Sequence, residues 1–133
     1  MNPFKAYDIR GLYGADIDNT LAFQLGRAVA NLYPGIDLIG AYDARVHSKD
    51  LLWAFGAGAA QLGIKMIDAG CISTPALHYL QMQHGYQIGV MATASHNPPQ
   101  YHGFKLFNSS GGSISLNKGL HELETEVAKD LAI

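Results

Sequence analysis

Ser95 stands just beyond the apolar run Gln87 to Thr93, inside the stretch Thr93-Ala94-Ser95-His96-Asn97-Pro98-Pro99. A serine hydroxyl is a weak nucleophile unless a base, a cation or a metal assists it. Here the imidazole of His96 and the amide of Asn97 follow directly, and the ammonium of Lys105 comes ten positions after the serine. Pro98 and Pro99 restrict the backbone, so that less ordering is needed when a ligand arrives. The set suits phosphate chemistry. A phosphate group carries up to about two negative charges and several acceptor oxygens, and it calls for cations and oriented donors. Arg10 and Lys105 are the candidate cations for phosphate contact and proton management, His96 a candidate to orient a phosphate or an attacking hydroxyl, and Asn97 a candidate to hold the loop through Asx-type bonds.

These residues need a scaffold, and the apolar spacing describes one. Thr20 to Asn31 has helical spacing, with capping candidates at Asp18 and Asn19 and a stop at Tyr33-Pro34-Gly35. Asp16 and Asp18 are expected at that helix entry as caps rather than as metal ligands. Ile36 to Tyr42 reads as a strand, Ser48 to Leu62 as a helix, Lys65 to Ala69 as a strand, and Thr74-Pro75 as N-cap and first-turn proline of a helix reaching about Gln83. Gln87 to Thr93 is then a third strand, Phe104 to Phe107 a fourth, Ser109 to Gly112 a turn, and Asn117 to Asp130 a final helix with Leu116, Leu120, Leu123 and Val127 as its stripe. Such βαβαβ alternation implies a largely parallel sheet whose ligands bind beyond the carboxyl ends of its strands. The link from the third strand to the fourth is too short for a crossover helix, which makes the last strand antiparallel. The expected architecture is an α/β fold, a three-layer α/β/α sandwich around a four-stranded mixed sheet.

Composition narrows the function classes. The chain has 133 residues, 48% of them apolar, and a formal net charge of −2. That is the size of one domain, without the basic excess of a nucleic-acid binder. No apolar run approaches the ~20 residues of a membrane span, and the N-terminus lacks a signal-peptide core. The single Cys71 suits a reducing compartment, so the cytoplasm is the expected location. Ser95 lacks the G-x-S-x-G frame of a nucleophile elbow, and the chain has no G-x-x-x-x-G-K-S/T phosphate loop. Gly56 and Gly58 imitate part of a dinucleotide fingerprint but lie within a helical pattern, where close helix packing explains them better.

Thr93 to Pro98 resembles the phosphoserine loop of the α-D-phosphohexomutases. Phe4-Lys5-Ala6-Tyr7-Asp8-Ile9-Arg10-Gly11 is similar to the N-terminal signature of that family, Asp43-Ala44-Arg45 to its D-x-R, and Gly103-Phe104-Lys105 to its G-F/M-K. The opening segment resembles the phosphomannomutase/phosphoglucomutase subgroup in particular. Two departures accompany the match: Ala41-Tyr42 precedes Asp43, and His102 stands where asparagine is common.

The resemblance implies that residues 1–133 form domain I of an enzyme interconverting hexose 1-phosphates and 6-phosphates. Phosphorylated Ser95 would pass its phosphoryl group to a phosphorylated hexose, giving a bisphosphorylated intermediate. It further implies Mg²⁺ as cofactor, held in part by a Ser95 phosphate oxygen, a hexose 1,6-bisphosphate activator, and the remaining domains of the same enzyme as partners. Ser95, His96, Lys105 and Arg10 are the expected catalytic residues, and Asn97 an expected substrate contact. Tyr7 serves packing or substrate contact equally well. Asp43 and Arg45 are expected to brace loops as an ion pair. The metal loop, sugar loop and C-terminal phosphate loop of the family are not among these residues, so the domain alone is expected to be inactive. The alternative is a non-catalytic module that binds sugar phosphates or partner domains.

Overall fold

The computed structural model describes residues 2–6, 8–110, 112–114 and 119–131. Nine elements follow one another: β1 (Ile9–Leu12), α1 (Asn19–Leu32), β2 (Leu38–Tyr42), α2 (Ser48–Ala60), β3 (Met66–Cys71), α3 (Thr74–His84), β4 (Ile88–Ala92), β5 (Tyr101–Phe107) and α4 (His121–Leu131). The sheet has the order β1-β5-β4-β2-β3. β2 pairs in parallel with β3 and β4, while β5 is antiparallel to both β4 and β1. One reversed strand therefore lies among four that share a direction.

The mixed sheet and its antiparallel last strand are as expected, but it has five strands rather than four. The additional strand is β1, which begins within the N-terminal signature and ends one residue past it. Four residues containing Arg10 and Gly11 give too short and too polar a pattern to declare a strand. What makes it one is the otherwise unpaired edge of β5, whose ladder groups need partners. Gly103 permits the pairing, because a Cβ there would sit 2.0 Å from the Ile9 carbonyl oxygen.

Strand alternation divides the core. Leu38, Ile88, Val90, Ala92, Phe104 and Leu106 pack with α1, α2 and α4, whereas Ile39, Ala41, Met91 and Phe107 pack with Leu77 of α3. Helices thus cover both faces. Asp18 caps α1 by accepting the Leu21 N–H at 2.8 Å. Asp16 does not cap it; its Oδ2 instead accepts the Leu12 N–H at 2.9 Å and closes the β1–α1 turn. That hydrogen bond holds its carboxyl below the ordinary range. The cap of the third helix is Ser73, one residue before the expected Thr74. Leu77 N–H closes onto the Ser73 carbonyl, and Ser73 Oγ accepts from Ala76 N–H at 3.2 Å. Pro75, which has no N–H to offer, sits in the first turn. Leu120, Leu123 and Val127 bury the stripe of the last helix; Leu116 and Asn117 lie outside the described residues.

α1 and α2 approach so closely that added side chains would strike backbone. A Cβ on Gly58 would lie 1.9 Å from the Phe23 carbonyl oxygen, and one on Gly26 1.8 Å from that of Phe55. Gly58→Ala gains about 1 kcal/mol of helix propensity but must part the two helices, an overpacking cost of roughly 1–3 kcal/mol or more. Net destabilisation is expected, read as a lower urea midpoint with an unchanged denaturant slope.

Candidate active site at the C-terminal ends of the strands

β1, β2 and β4 end, and the reversed β5 begins, at one end of the sheet. Topology thereby gathers Arg10, the Asp43-to-His47 segment, the serine loop and His102 at that end. Asp43 N–H donates to the Ala92 carbonyl at 3.1 Å, and Thr93 N–H donates to that of Gly103 at 2.8 Å. The loops that follow β2 and β4 are thus tied to neighbouring strands before they diverge.

Ser95 is exposed and has φ +54°, the one positive φ outside glycine among the described residues. For a residue with a Cβ this backbone costs of order 1–3 kcal/mol and persists only where its surroundings impose it. They do so here. Thr93 Oγ1 accepts the Ser95 N–H at 3.0 Å, and Asn97 donates to the Ala94 carbonyl from both its backbone N–H (3.1 Å) and its Nδ2 (2.7 Å).

Arg45 supplies the larger constraint. Its Nη2 donates to the carbonyls of Ser95 (2.7 Å) and Asn97 (2.8 Å), and its Nη1 to those of Pro98 (2.7 Å) and Tyr101 (3.0 Å). Its Nε faces Asp43 Oδ2 at 3.2 Å, and Asp43 Oδ1 accepts from the Arg45 backbone N–H and from Ser48 Oγ. The ion pair expected at Asp43 and Arg45 is present, but its chief effect is to aim a planar donor fork into the serine loop.

Alternation sends Ile9, Phe104 and Leu106 into the α1/α2/α4 core, and so Arg10 and Lys105 to the other face of the sheet. Arg10 pairs in register with Gly103, itself bonded to Thr93. This puts Arg10 two strand spacings from the start of the serine loop, about 10 Å. Its Nε lies 3.7 Å from Asp8 Oδ1. Lys105 pairs in register with Met91. Among the described residues no hydrogen bond or ion pair links Ser95 Oγ to Arg10, His96 or Lys105; His96 is exposed, and Tyr7 lies outside the described residues.

A neighbouring cluster was not among the candidate residues. The Tyr13 and His47 rings stack at 3.7 Å, and buried His102 lies 5.3 Å from His47 and 5.5 Å from Tyr13. Burial lowers the proton affinity of His102 below the ordinary histidine value, as do nearby His47 and Arg45, while the Gln100 carbonyl and Asp43 act in the opposite sense. Strand parity was the available signal, since His102 shares a face with Phe104 and Leu106.

The chain matches the family description "Phosphoglucomutase/phosphomannomutase, alpha/beta/alpha domain I" over residues 1–132. It belongs to the phosphoglucomutase/phosphomannomutase family. A phosphomannomutase of Methanocaldococcus jannaschii is 43% identical over 112 residues, covering 84% of this chain and 24% of that protein. A phosphomannomutase of Vibrio cholerae is 33% identical over 132 residues, covering 96% of the chain and 28% of its own length. The crystal structure of a phosphoglucomutase/phosphomannomutase family protein from Burkholderia thailandensis superposes with a TM-score of 0.84 at 28% identity, covering 97% of this chain and 30% of that one. The chain thus spans about a quarter of the length of these two curated relatives. No helix among the described residues is long and apolar enough to cross a membrane.

Arg45→Lys tests the clamp. One ammonium cannot reproduce a fork shared among four carbonyls. Charged hydrogen bonds contribute about 1.5–3 kcal/mol each, and these four act as a unit rather than additively. A loss of about 1.5–3 kcal/mol in urea unfolding is expected.

Proposed function

We propose that this chain is the phosphoserine-bearing domain of a phosphomannomutase/phosphoglucomutase-like enzyme that interconverts hexose 1-phosphate and hexose 6-phosphate. The observation that carries the reading is the exposed Ser95, held in a strained backbone by Thr93, Asn97 and the Arg45 fork at the carboxyl end of β4. Strain of this kind, imposed by several independent contacts, is a mark of functional loops. Membership of the family supplies the chemistry to be expected there.

In this reading Ser95 carries a phosphoryl group between turnovers. A sugar hydroxyl oxygen forms a bond to that phosphorus as the bond from phosphorus to Ser95 Oγ breaks; the hydroxyl gives up its proton, and the serine oxygen gains one. The bisphosphorylated sugar then returns its other phosphate to Ser95, which begins and ends phosphorylated. Such a transfer depends on spreading and neutralising charge on the phosphoryl oxygens. Arg10 and Lys105, on one face of the sheet, are the groups of this domain suited to that, with His96 and Asn97 available to orient the phosphate or the sugar.

Among the described residues no three His, Cys, Asp or Glu side chains converge as metal ligands. These residues therefore do not by themselves fit the Mg²⁺ of the proposed enzyme. A serine hydrolase would need an acid behind His96, and His96 has no hydrogen-bonding neighbour among the described residues.

Two outcomes follow. In the complete enzyme chain, Ser95→Ala abolishes labelling by radiolabelled hexose 1,6-bisphosphate, and persistent labelling overturns the assignment. The 133-residue chain alone, supplied with Mg²⁺ and that bisphosphate, does not convert glucose 1-phosphate to glucose 6-phosphate; turnover at enzyme-like rates would contradict a domain that needs the rest of its enzyme.

A further inference from the structure

Arg45 donates from the β2–α2 segment to the β4–β5 loop, and a second donor of that segment reaches β5. His47 N–H, in that same segment, donates to His102 Nε2 of β5 at 3.1 Å. Because Nε2 accepts, the neutral ring carries its proton on Nδ1, which faces the Gln100 carbonyl at 3.4 Å. Tyr13 stacks on the His47 ring and also lies edge-on to His102, and Tyr13 N–H donates to the same Gln100 carbonyl at 3.3 Å. The two contacts form a latch: Arg45 reaches carbonyls on both sides of the proline pair, and two residues further along the chain the His47 amide, at the start of α2, donates to His102.

We propose that His102 is a positioning residue of the serine loop, whose neutral imidazole fixes the Arg45 segment against β5 and whose protonation releases it. A proton on Nε2 would set one N–H against another, the His47 amide. It would also place a cation in a buried position already faced by Arg45 and His47 from the β2–α2 segment. Asp43, from the same segment, is an anion acting in the opposite sense, and it is engaged by Arg45 and Ser48; Asp16, from the β1–α1 turn, lies against Gly11, the register partner of His102. Tyr13, from the β1–α1 turn, contributes a neutral ring.

The sign follows from burial. His102 in the folded chain binds its proton less readily than the ordinary 6.5 allows. Above 6.5 both folded and unfolded forms are neutral and the latch is intact. As pH falls from 6.5 through the folded midpoint, the unfolded chain takes up the proton first, and the stabilisation is lost. The effect of this loss on phosphoryl transfer rests on the proposed role of Ser95; the structural coupling does not.

NMR titration of the chain between about pH 5 and 8 tests it. His96→Gln serves as background, so that the imidazole beside Ser95 contributes nothing. The His102 ring is expected to titrate below the ordinary histidine midpoint, and the amide signals of His47, Ser95 and Asn97 to move with that same midpoint. Adding His102→Gln, which keeps an acceptor but does not titrate, removes this step. The proposal is overturned if the Ser95 and Asn97 amides ignore the His102 titration, a result readable without the second variant, or if their step survives His102→Gln. Should Ser95 accept no label from hexose 1,6-bisphosphate while the coupled titration is present, the positioning role stands and the proposed function fails.

Discussion

A single guanidinium, that of Arg45, fixes the shape of the serine loop. The loop needs outside donors because two consecutive prolines remove two backbone N–H groups and prevent a regular internal ladder. Carbonyls at Ser95, Asn97, Pro98 and Tyr101 converge, and a rigid fork of donors is the side chain suited to collect them. The ion pair with Asp43 anchors the fork, and the tie from Asp43 N–H to the Ala92 carbonyl anchors Asp43. Strain at Ser95 is thereby offset in part by contacts from the neighbouring β2–α2 segment, outside the loop itself.

That arrangement explains why the domain is built around one reversed strand. With β5 antiparallel, its first residues return to the end of the sheet where β2 and β4 finish, so Tyr101 and His102 can meet the Asp43-to-His47 segment. The same reversal offers β5's free edge to β1, which seats Arg10 beside Gly103. Gly103 is the point of closest approach, and a side chain there would separate the strand that carries Arg10 from the strand that carries Lys105. Fold and site therefore share a small set of residues.

Much of the scaffold was legible from apolar spacing, because α1, α2, β2 and β4 each carry a strong pattern over buried positions. β1 was not legible as a strand: its pairing is decided by the vacant edge of β5, a tertiary fact that four residues do not encode. The start of α3 differed by one residue because Ser73 and Thr74 both offer a capping hydroxyl, and only backbone closure from Leu77 to Ser73 decides between them. At the site, Ser95 and its neighbours were recognisable by type. The reach of Arg45 was not, since which carbonyls it meets depends on how two loops fold toward each other. His102 was noticed as a departure from the family pattern, but its burial follows only once strand parity is applied.

The most direct test is the backbone of Ser95 when Arg45 is removed. Crystal structures of the chain and of Arg45→Ala would give φ at this residue in each. Retention of a positive φ in the parent chain, with Ser95 relaxing to negative φ in the variant while β4 and β5 stay paired, is the predicted result. A Ser95 that keeps its positive φ without Arg45 would contradict the claim that this one side chain sets the loop.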